Sequence, residues 1–442
     1  MRNLVVAVVG RPNVGKSTFF NYLAGRRISI VDDTPGVTRD RIYTEIEWRG
    51  KKFTLVDTGG IEPRSDDTIL SQMRMQAEIA IDMADVVLLI VDVRVGLTAT
   101  DEEVAAMLRK SDKPVIVVVN KCDTISRDMP VDAYEFYNLG FEQLHTVSSI
   151  HGLGTGDLLD AIYEYYPEDD GIEEDEDRIK VAVIGKPNAG KSSLINRIIG
   201  EDRVIVSEIA GTTRDAVDTN VDVGEDKFTF IDTAGVRKKS KIDNRIEKYS
   251  ILRVWTAVDR ADVCLCMIDA TEGVTEQDTK IIGYAHDQGK ALIFVINKWD
   301  LVEKETGTME KYKAEVLGKL AYARYAPVLF ISATTGQRVD KIYDMIKYVN
   351  EQASFRISTG MLNDFLSEAV LMVQPPSDKG RRLKIYYMTQ VGVKPPTFVI
   401  FINDSRLMHF SYQRYLENQL RKSFAFVGTS IKFILRERDK DK

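Results

Sequence analysis

Residues 4–20 read LVVAVVGRPNVGKSTFF, and residues 179–195 read IKVAVIGKPNAGKSSLI. Each is a short apolar run, a glycine-rich octet and the beginning of a helical pattern. Octets 10–17 and 185–192 agree at six of eight positions, at an offset of 175. Gly-x-x-x-x-Gly-Lys-Ser between a strand and a helix makes a phosphate cradle. The glycines let backbone N–H groups turn inward, and the helix N-terminus adds positive potential. The first copy supplies Gly10, Arg11, Pro12, Asn13, Val14, Gly15, Lys16 and Ser17. The second supplies Gly185, Lys186, Pro187, Asn188, Ala189, Gly190, Lys191 and Ser192. Lys16 and Lys191 are placed to reach the β- and γ-phosphates, and Ser17 and Ser192 to give a hydroxyl to Mg²⁺.

The repeat continues beyond the octets. GVTRD at 36–40 maps onto GTTRD at 211–215, and DTGG at 57–60 onto DTAG at 232–235, still at 175. DVVLLIVD at 85–92 and NKCD at 120–123 map onto DVCLCMID at 262–269 and NKWD at 297–300 at an offset of 177. Near Ser148 and Ser332 the offset is 184. It drifts only where surface insertions are cheap, and its length excludes a solenoid, so a whole domain is duplicated in tandem. The near-continuous apolar runs 4–9, 86–91, 115–119, 179–184, 263–268 and 292–296 alternate with helical patterns. That predicts a doubly wound α/β fold with a parallel sheet and functional loops at the strands' carboxyl ends.

The predicted layout is a first domain over 1–167, an acidic linker over 168–178, a second domain over 179–353 and a basic module over 354–442. The string PEDDGIEEDEDR at 167–178 has eight acids, one base and little to bury. Residues 355–442 carry 15 basic and 8 acidic side chains, a net of +7. The preceding residues carry −14, so the overall −7 of the 442-residue chain hides a basic module. Its pattern predicts α-β-β-α-β: a helical face of Met361, Leu362, Phe365, Leu366, Ala369 and Val370, strands over 383–391 and 397–402, a helix over 412–424 and a strand over 430–436.

A hydrophobic fraction of 44% with 29% charged residues excludes wholesale disorder. Three cysteines, Cys122, Cys264 and Cys266, are too few for a disulfide scaffold or a four-cysteine zinc site and suit a reducing compartment. The opening apolar stretch is too short for a signal peptide, and no run reaches the ~20 apolar residues of a membrane helix. A cytoplasmic, soluble protein is expected.

Asp57 and Asp232 each end an apolar strand, 47 residues after the first glycine of their octet. A carboxylate there holds the Mg²⁺ shell from the side opposite the phosphate loop, usually through water. The following residues, Thr58, Gly59, Gly60 and Ile61 in one copy and Thr233, Ala234, Gly235 and Val236 in the other, offer backbone groups, with Gly60 and Gly235 meeting the γ-phosphate. Thr38 and Thr213 lie in polar loops where a hydroxyl completes the metal shell only while that phosphate is present, which makes an order–disorder switch. Asn120, Lys121, Cys122 and Asp123, and Asn297, Lys298, Trp299 and Asp300, form Asn-Lys-x-Asp. A carboxylate at Asp123 or Asp300 accepts two hydrogen bonds from guanine N1–H and its amine, donors that adenine lacks in that arrangement. The asparagines brace the loop, the lysine stems cover the base, and Ser148, Ser149, Ser332 and Ala333 cap its edge.

This order of motifs resembles a Ras-like P-loop NTPase domain. Two such domains followed by a basic αββαβ tail resemble the Der (EngA) family of bacterial ribosome-assembly GTPases over essentially the whole chain. The resemblance implies a small α+β, KH-like third domain and a GTPase switch. Its partners would be the large (50S) ribosomal subunit and its RNA, with no DNA and no membrane, and the protein a monomer. The implied catalytic groups are Lys16, Thr38, Gly60, Lys191, Thr213 and Gly235; the implied metal ligands are Ser17, Thr38, Asp57, Ser192, Thr213 and Asp232. Ile61 and Val236 stand where Ras-type enzymes have a glutamine that orients water, so slow intrinsic hydrolysis is expected. Asn13 and Asn188 match an asparagine that coordinates K⁺ in related GTPases. As bare residues they equally suit a turn. Arg237, Lys238, Lys239 and Lys241 form a basic run in the second switch segment. In the third module Arg381, Arg382, Lys384, Arg421 and Lys422 are candidate phosphate contacts, although it lacks a Gly-x-x-Gly clamp. A nucleotide-gated RNA or ribosome scaffold with incidental turnover is the alternative reading.

Overall fold

The computed structural model describes residues 4–25, 43–60, 73–74, 76–78, 80–81, 84–123, 130–166, 177–200, 205–210, 217–233, 247–378 and 381–437. Thr38, Ile61, Thr213, Ala234, Gly235 and Val236, the basic residues 237–241 and most of the acidic linker lie outside them. The chain divides into two compact units, 1–174 and 175–442.

The first unit holds a six-stranded sheet in the order β2-β3-β1-β4-β5-β6. Its strands are β1 (Leu4–Gly10), β2 (Tyr43–Trp48), β3 (Lys51–Asp57), β4 (Val86–Asp92), β5 (Val115–Asn120) and β6 (Leu144–Thr146). Every residue of β4 and β5 is buried, as strands covered on both faces must be. Strand β1 pairs in parallel with both β3 and β4. The chain order therefore reverses at β1, the crevice where open α/β sheets bind ligands.

The second unit repeats this sheet with one strand more, in the order β13-β12-β11-β7-β10-β9-β8. Its strands are β7 (Ile179–Ile184), β8 (Ile205–Ala210), β9 (Val217–Val223), β10 (Asp226–Phe230), β11 (Val263–Asp269), β12 (Ala291–Asn297) and β13 (Val328–Phe330). The residues of the first copy that match β8 lie outside those described. The parallel core is extended on one side by antiparallel pairing, of β2 with β3 in the first unit and of β9 with both β10 and β8 in the second. The sequences of β2 and β9, such as YTEIEW, mix polar with apolar residues, the signature of a strand with one wet face, in place of a continuous apolar run.

The last module contributes β14 (Ser377–Asp378), β15 (Arg381–Arg382), β16 (Ile385–Gly392), β17 (Thr397–Ile402) and β18 (Lys432–Glu437). β17 is central, antiparallel to β16 and parallel to β18. The helices Thr359–Met372 and Phe410–Phe424 pack on one face, over Phe398, Ile400 and Ile402. That is the α-β-β-α-β layer read from the pattern, with the short β14–β15 ladder added. Met361 is a correction: it lies half exposed in the first helical turn, whereas Leu362, Phe365, Leu366 and Ala369 are buried.

Within this unit the module docks on the second sheet by backbone hydrogen bonds. Leu292 N–H donates to Gly428 O (2.6 Å), Gly428 N–H to Tyr325 O (2.8 Å) and Lys394 N–H to Ala353 O (3.0 Å). Gly428 has φ +76°, and a Cβ there would lie 2.5 Å from Val349 Cγ1, so only glycine fits. Beside this seam His286 Nδ1 is 2.7 Å from the Tyr325 hydroxyl, and Arg421 lies over the Tyr325 ring at 4.5 Å. Burial, and next the Arg421 charge, push the His286 imidazole down to about 4. The unfolded chain, titrating near 6.5, binds more protons than the folded one between these values. Stability of this unit is therefore lost as pH falls from about 6.5 toward 4, by at most about 3 kcal/mol. Thermal melts at pH 7 and pH 5 should show this loss in the parent and a smaller one in His286→Gln. An equal loss in both would contradict the assignment.

Candidate functional site

All the sequence-predicted loops that are described leave the carboxyl ends of parallel strands, as the doubly wound order requires. In the first copy Lys16, at the start of the helix Lys16–Gly25, turns back over the phosphate loop. Its Nζ donates to Gly10 O (2.6 Å) and Arg11 O (2.7 Å). Lys191 does the same to Gly185 O and Lys186 O, both at 2.7 Å. Burial pulls the Lys16 ammonium down to about 8, opposed by Asp57 and helped by Arg11. Each lysine thus folds its charge inward against the carbonyls of its own phosphate loop.

Ser17 and Asp57 meet: Ser17 Oγ donates to Asp57 Oδ2 at 3.4 Å, and Gly59 N–H to Asp57 Oδ1 at 2.9 Å. Thr58 is buried and donates to Val8 O, anchoring the segment beneath β1, while Thr233 bonds Thr219 at 2.8 Å. Asp232 N–H donates to Asp218 Oδ1 at 3.0 Å. The hydroxyl and carboxylate at Ser17 and Asp57 are hard oxygen donors on adjoining loops. They suit Mg²⁺, which takes one or two protein oxygens and completes its shell with water and phosphate.

Asn120 ties the two halves of the site together. Its Nδ2 donates to Val14 O (2.7 Å), and its Oδ1 accepts from Ser149 N–H (3.1 Å) and Ser149 Oγ (2.8 Å). Asn297 repeats this with Ala189 O and Ala333 N–H, both at 2.9 Å. The same side chains explain two glycines. A Cβ on Gly15 (φ +97°) or Gly190 (φ +98°) would fall 2.3 or 2.0 Å from the asparagine Nδ2.

Lys121 and Lys298 adopt left-handed backbone, φ +68° and +62°, which lets their stems cross the loop. Lys121 Nζ reaches Asn13 O (2.8 Å) and Asp92 Oδ2 (2.5 Å); Lys298 Nζ reaches Asp269 Oδ2 (2.5 Å). Burial opposes ionisation of Asp269 most strongly, yet hydrogen bonds from Lys298 and Thr271 hold its carboxyl below the usual range. Asp92 and Asp269 were not singled out from the sequence. The available signal was an acid ending the same apolar strand in both copies.

Asp123 lines a cavity of about 260 Å³ with Gly15, Thr18, Asn120, Lys121, Ser148 and Ser149. Its carboxyl is held below the usual range, chiefly by the Ser148 hydroxyl at 2.6 Å, with burial opposing and Arg94 assisting. Asp300 is exposed in the second copy. Trp299 is 2% exposed and packs on Phe330 and Tyr312, and Cys122, Val14 and Ala189 are buried as well. These four contribute backbone and core packing rather than side chains facing a ligand.

Asn13 and Asn188 have φ +67° and +64°. Asparagine tolerates this left-handed turn conformation. Pro12 is exposed and Pro187 half-buried at the same bend. Arg11 pairs with buried Asp101 at 3.0 Å, and Lys186 with Glu272 at 2.6 Å, so both are held at the loop's rim. In the last module Arg421 needs correction as a phosphate contact. It is committed to Glu417 (2.9 Å) and to the Phe426 and Thr429 carbonyls. Arg382 bonds Gln374 at 2.5 Å; Arg381, Lys384 and Lys422 are exposed.

Two P-loop sheets with paired Asn-Lys-x-Asp loops, followed by an α+β module, define a tandem GTPase-class protein. The family model described as 50S ribosome-binding GTPase matches residues 5–121 and 180–298. The model described as the KH-domain-like C-terminal domain of EngA bacterial GTPase enzymes matches 356–436. The chain is 70% identical over 437 residues to GTPase Der of Ruminiclostridium cellulolyticum and to GTPase Der of Acetivibrio thermocellus, covering 99% of this chain and of each relative. It is 58% identical over 439 residues to GTPase Der of Alkaliphilus metalliredigens, again with 99% coverage of both. The chain belongs to the GTPase Der family and is a GTPase that binds guanine nucleotides. Among the described residues no helix is long and apolar enough to cross a membrane.

Proposed function

We propose that this protein hydrolyses GTP to GDP and phosphate at both sites and uses the cycle as a switch in assembly of the large (50S) ribosomal subunit. The observation that carries this reading is the asparagine clasp. Asn120 and Asn297 each bind the phosphate loop on one side and the base-edge loop on the other, so base recognition and phosphate placement form one rigid piece, twice.

In each site the loop N–H groups and Lys16 or Lys191 bind the triphosphate and stabilise charge on the transferred group. Mg²⁺, held by Ser17 with Asp57 and by Ser192 with Asp232, neutralises phosphate charge when bound. Thr38 and Thr213 respond to the γ-phosphate, and the N–H groups of Gly60 and Gly235 meet it. Ile61 and Val236 cannot hydrogen-bond a water, so each site needs outside help to orient the nucleophile. K⁺ at Asn13 and Asn188 is the proposed source of added positive charge. The protein acts as a cytoplasmic monomer, with 50S RNA as its partner.

Arg237, Lys238, Lys239 and Lys241 would present charge to RNA phosphate in one nucleotide state of the second site. The open face of the last sheet offers a second contact. There Tyr387 stacks on Phe401 at 4.2 Å, and Arg436 stands opposite Phe401 in β18. Stacked rings beside cations suit unpaired bases. Co-sedimentation with purified large subunits tests the reading. Binding should depend on the nucleotide and should fall, with a shallower salt dependence, when the four basic residues become Ala. Binding indifferent to both would refute the switch. Assembly function that survives GTP binding without cleavage would favour the scaffold reading instead.

A further inference from the structure

The two base-reading carboxylates are held differently. Building on their reading as guanine sites, we propose that Arg94 sets the affinity of the first site by competing with the base for Asp123. Arg94 lies two residues beyond β4, where its N–H donates to Asp92 Oδ1 at 3.0 Å. Its Nη2 donates to Asp123 Oδ2, while Asp123 Oδ1 accepts from Ser148 Oγ at 2.6 Å. The Arg94 side chain is 64% exposed and lines the same cavity as Gly15, Asn120 and Lys121. The guanidinium therefore approaches the carboxylate from the side on which a base must enter. Guanine's two donors need one acceptor on each carboxylate oxygen, on the side that faces the cavity. Ser148 bonds Oδ1 and leaves Oδ2 to one of them. Arg94 takes an acceptor that faces the cavity, and its charge neutralises the group that selects the base.

The second copy serves as an internal control. At the offset of 177 the arginine is replaced by Thr271. Its hydroxyl and N–H both donate to Asp269 Oδ1, at 2.7 and 2.9 Å, so it serves the neighbouring acid rather than the base reader. Asp300 has no hydrogen bond or ion pair among the described residues. The Ser332 hydroxyl accepts from Thr335 N–H at 3.1 Å, within its own loop. Guanine must break an ion pair to enter the first site and none of this kind in the second. The first site thus fills at higher nucleotide concentration, and releases more readily, than its other contacts would dictate.

The test uses the full chain with Asp300→Asn, which confines tight guanine binding to the first site, and titrates GDP calorimetrically with and without Arg94→Thr. Breaking an exposed ion pair corresponds to about two- to fivefold in affinity. R94T should tighten GDP by that factor at low salt, and the gap should narrow as salt screens the pair. In an Asp123→Asn chain, Thr271→Arg should weaken GDP at the second site by a similar factor. An R94T chain that binds GDP equally well or more weakly overturns the proposal. If the D300N parent binds no GDP at all, it is the underlying guanine reading that fails.

Discussion

Asp123→Asn should lower guanine-nucleotide affinity at the first site by on the order of 10²–10³-fold and leave the second site at its parental value. Asp300→Asn should do the converse. The carboxylate accepts from guanine N1–H and the exocyclic amine. An amide in its place keeps one acceptor and turns a donor toward the amine, so one bond becomes a donor–donor clash. Xanthine carries a carbonyl where guanine has the amine, and an amide's donor and acceptor match it. Each variant should therefore gain xanthosine diphosphate as it loses GDP. Calorimetric titration of both nucleotides into the parent and the two variants reads this directly. Loss at both sites from one substitution, or no gain of the xanthine nucleotide, would refute the assignment of Asp123 and Asp300 as base readers. The asparagine clasp keeps the phosphate loop intact, so residual binding of the wrong base should be weak rather than absent.

Lys16→Met and Lys191→Met should each remove turnover from their own site, by about 10²–10³-fold, the scale of losing one preorganised electrostatic contact. Methionine keeps the length and the apolar stem but removes the cation. In the first site two carbonyls, Gly10 O and Arg11 O, also lose their donor. The Gly10 bond is buried and the Arg11 bond partly so, so the variant should lose some stability, and circular dichroism melts would verify that the fold survives. Phosphate release from each single variant should retain the turnover of the other site, and the double variant should release almost none. Full activity in either single variant at its own site, isolated by the Asp→Asn exchange at the other, would show that the lysine does not act on the transferred group.

The sequence carried the repeat, the strand-to-loop placement of the motifs that lie among the described residues and the third module's αββαβ order. Each rests on local information: apolar runs, glycine spacing and the residue types that phosphate and guanine require. The outer strands β2, β8 and β9 were harder to read, because polar residues among the apolar ones break up a continuous run. Met361 satisfied a helical period yet lies exposed, since a first-turn residue projects beyond the layer that the helix covers.

What composition and spacing determined is the chemistry on offer: two loops able to hold phosphate, two able to read guanine, and a basic module beyond them. Which groups actually meet was decided by tertiary structure. Asn120 clasps Val14 across 106 residues, Asp92 holds Lys121 across 29, and Arg94 reaches Asp123 across 29. Arg421 was one of five candidate phosphate contacts; the helix end and the turn after it commit it to Glu417 and two nearby carbonyls. The physical reason is that hydrogen bonds and ion pairs depend on distances of about 3 Å between atoms. Parallel strand register sets those distances between residues far apart in the chain, and hydrophobic periodicity does not encode them.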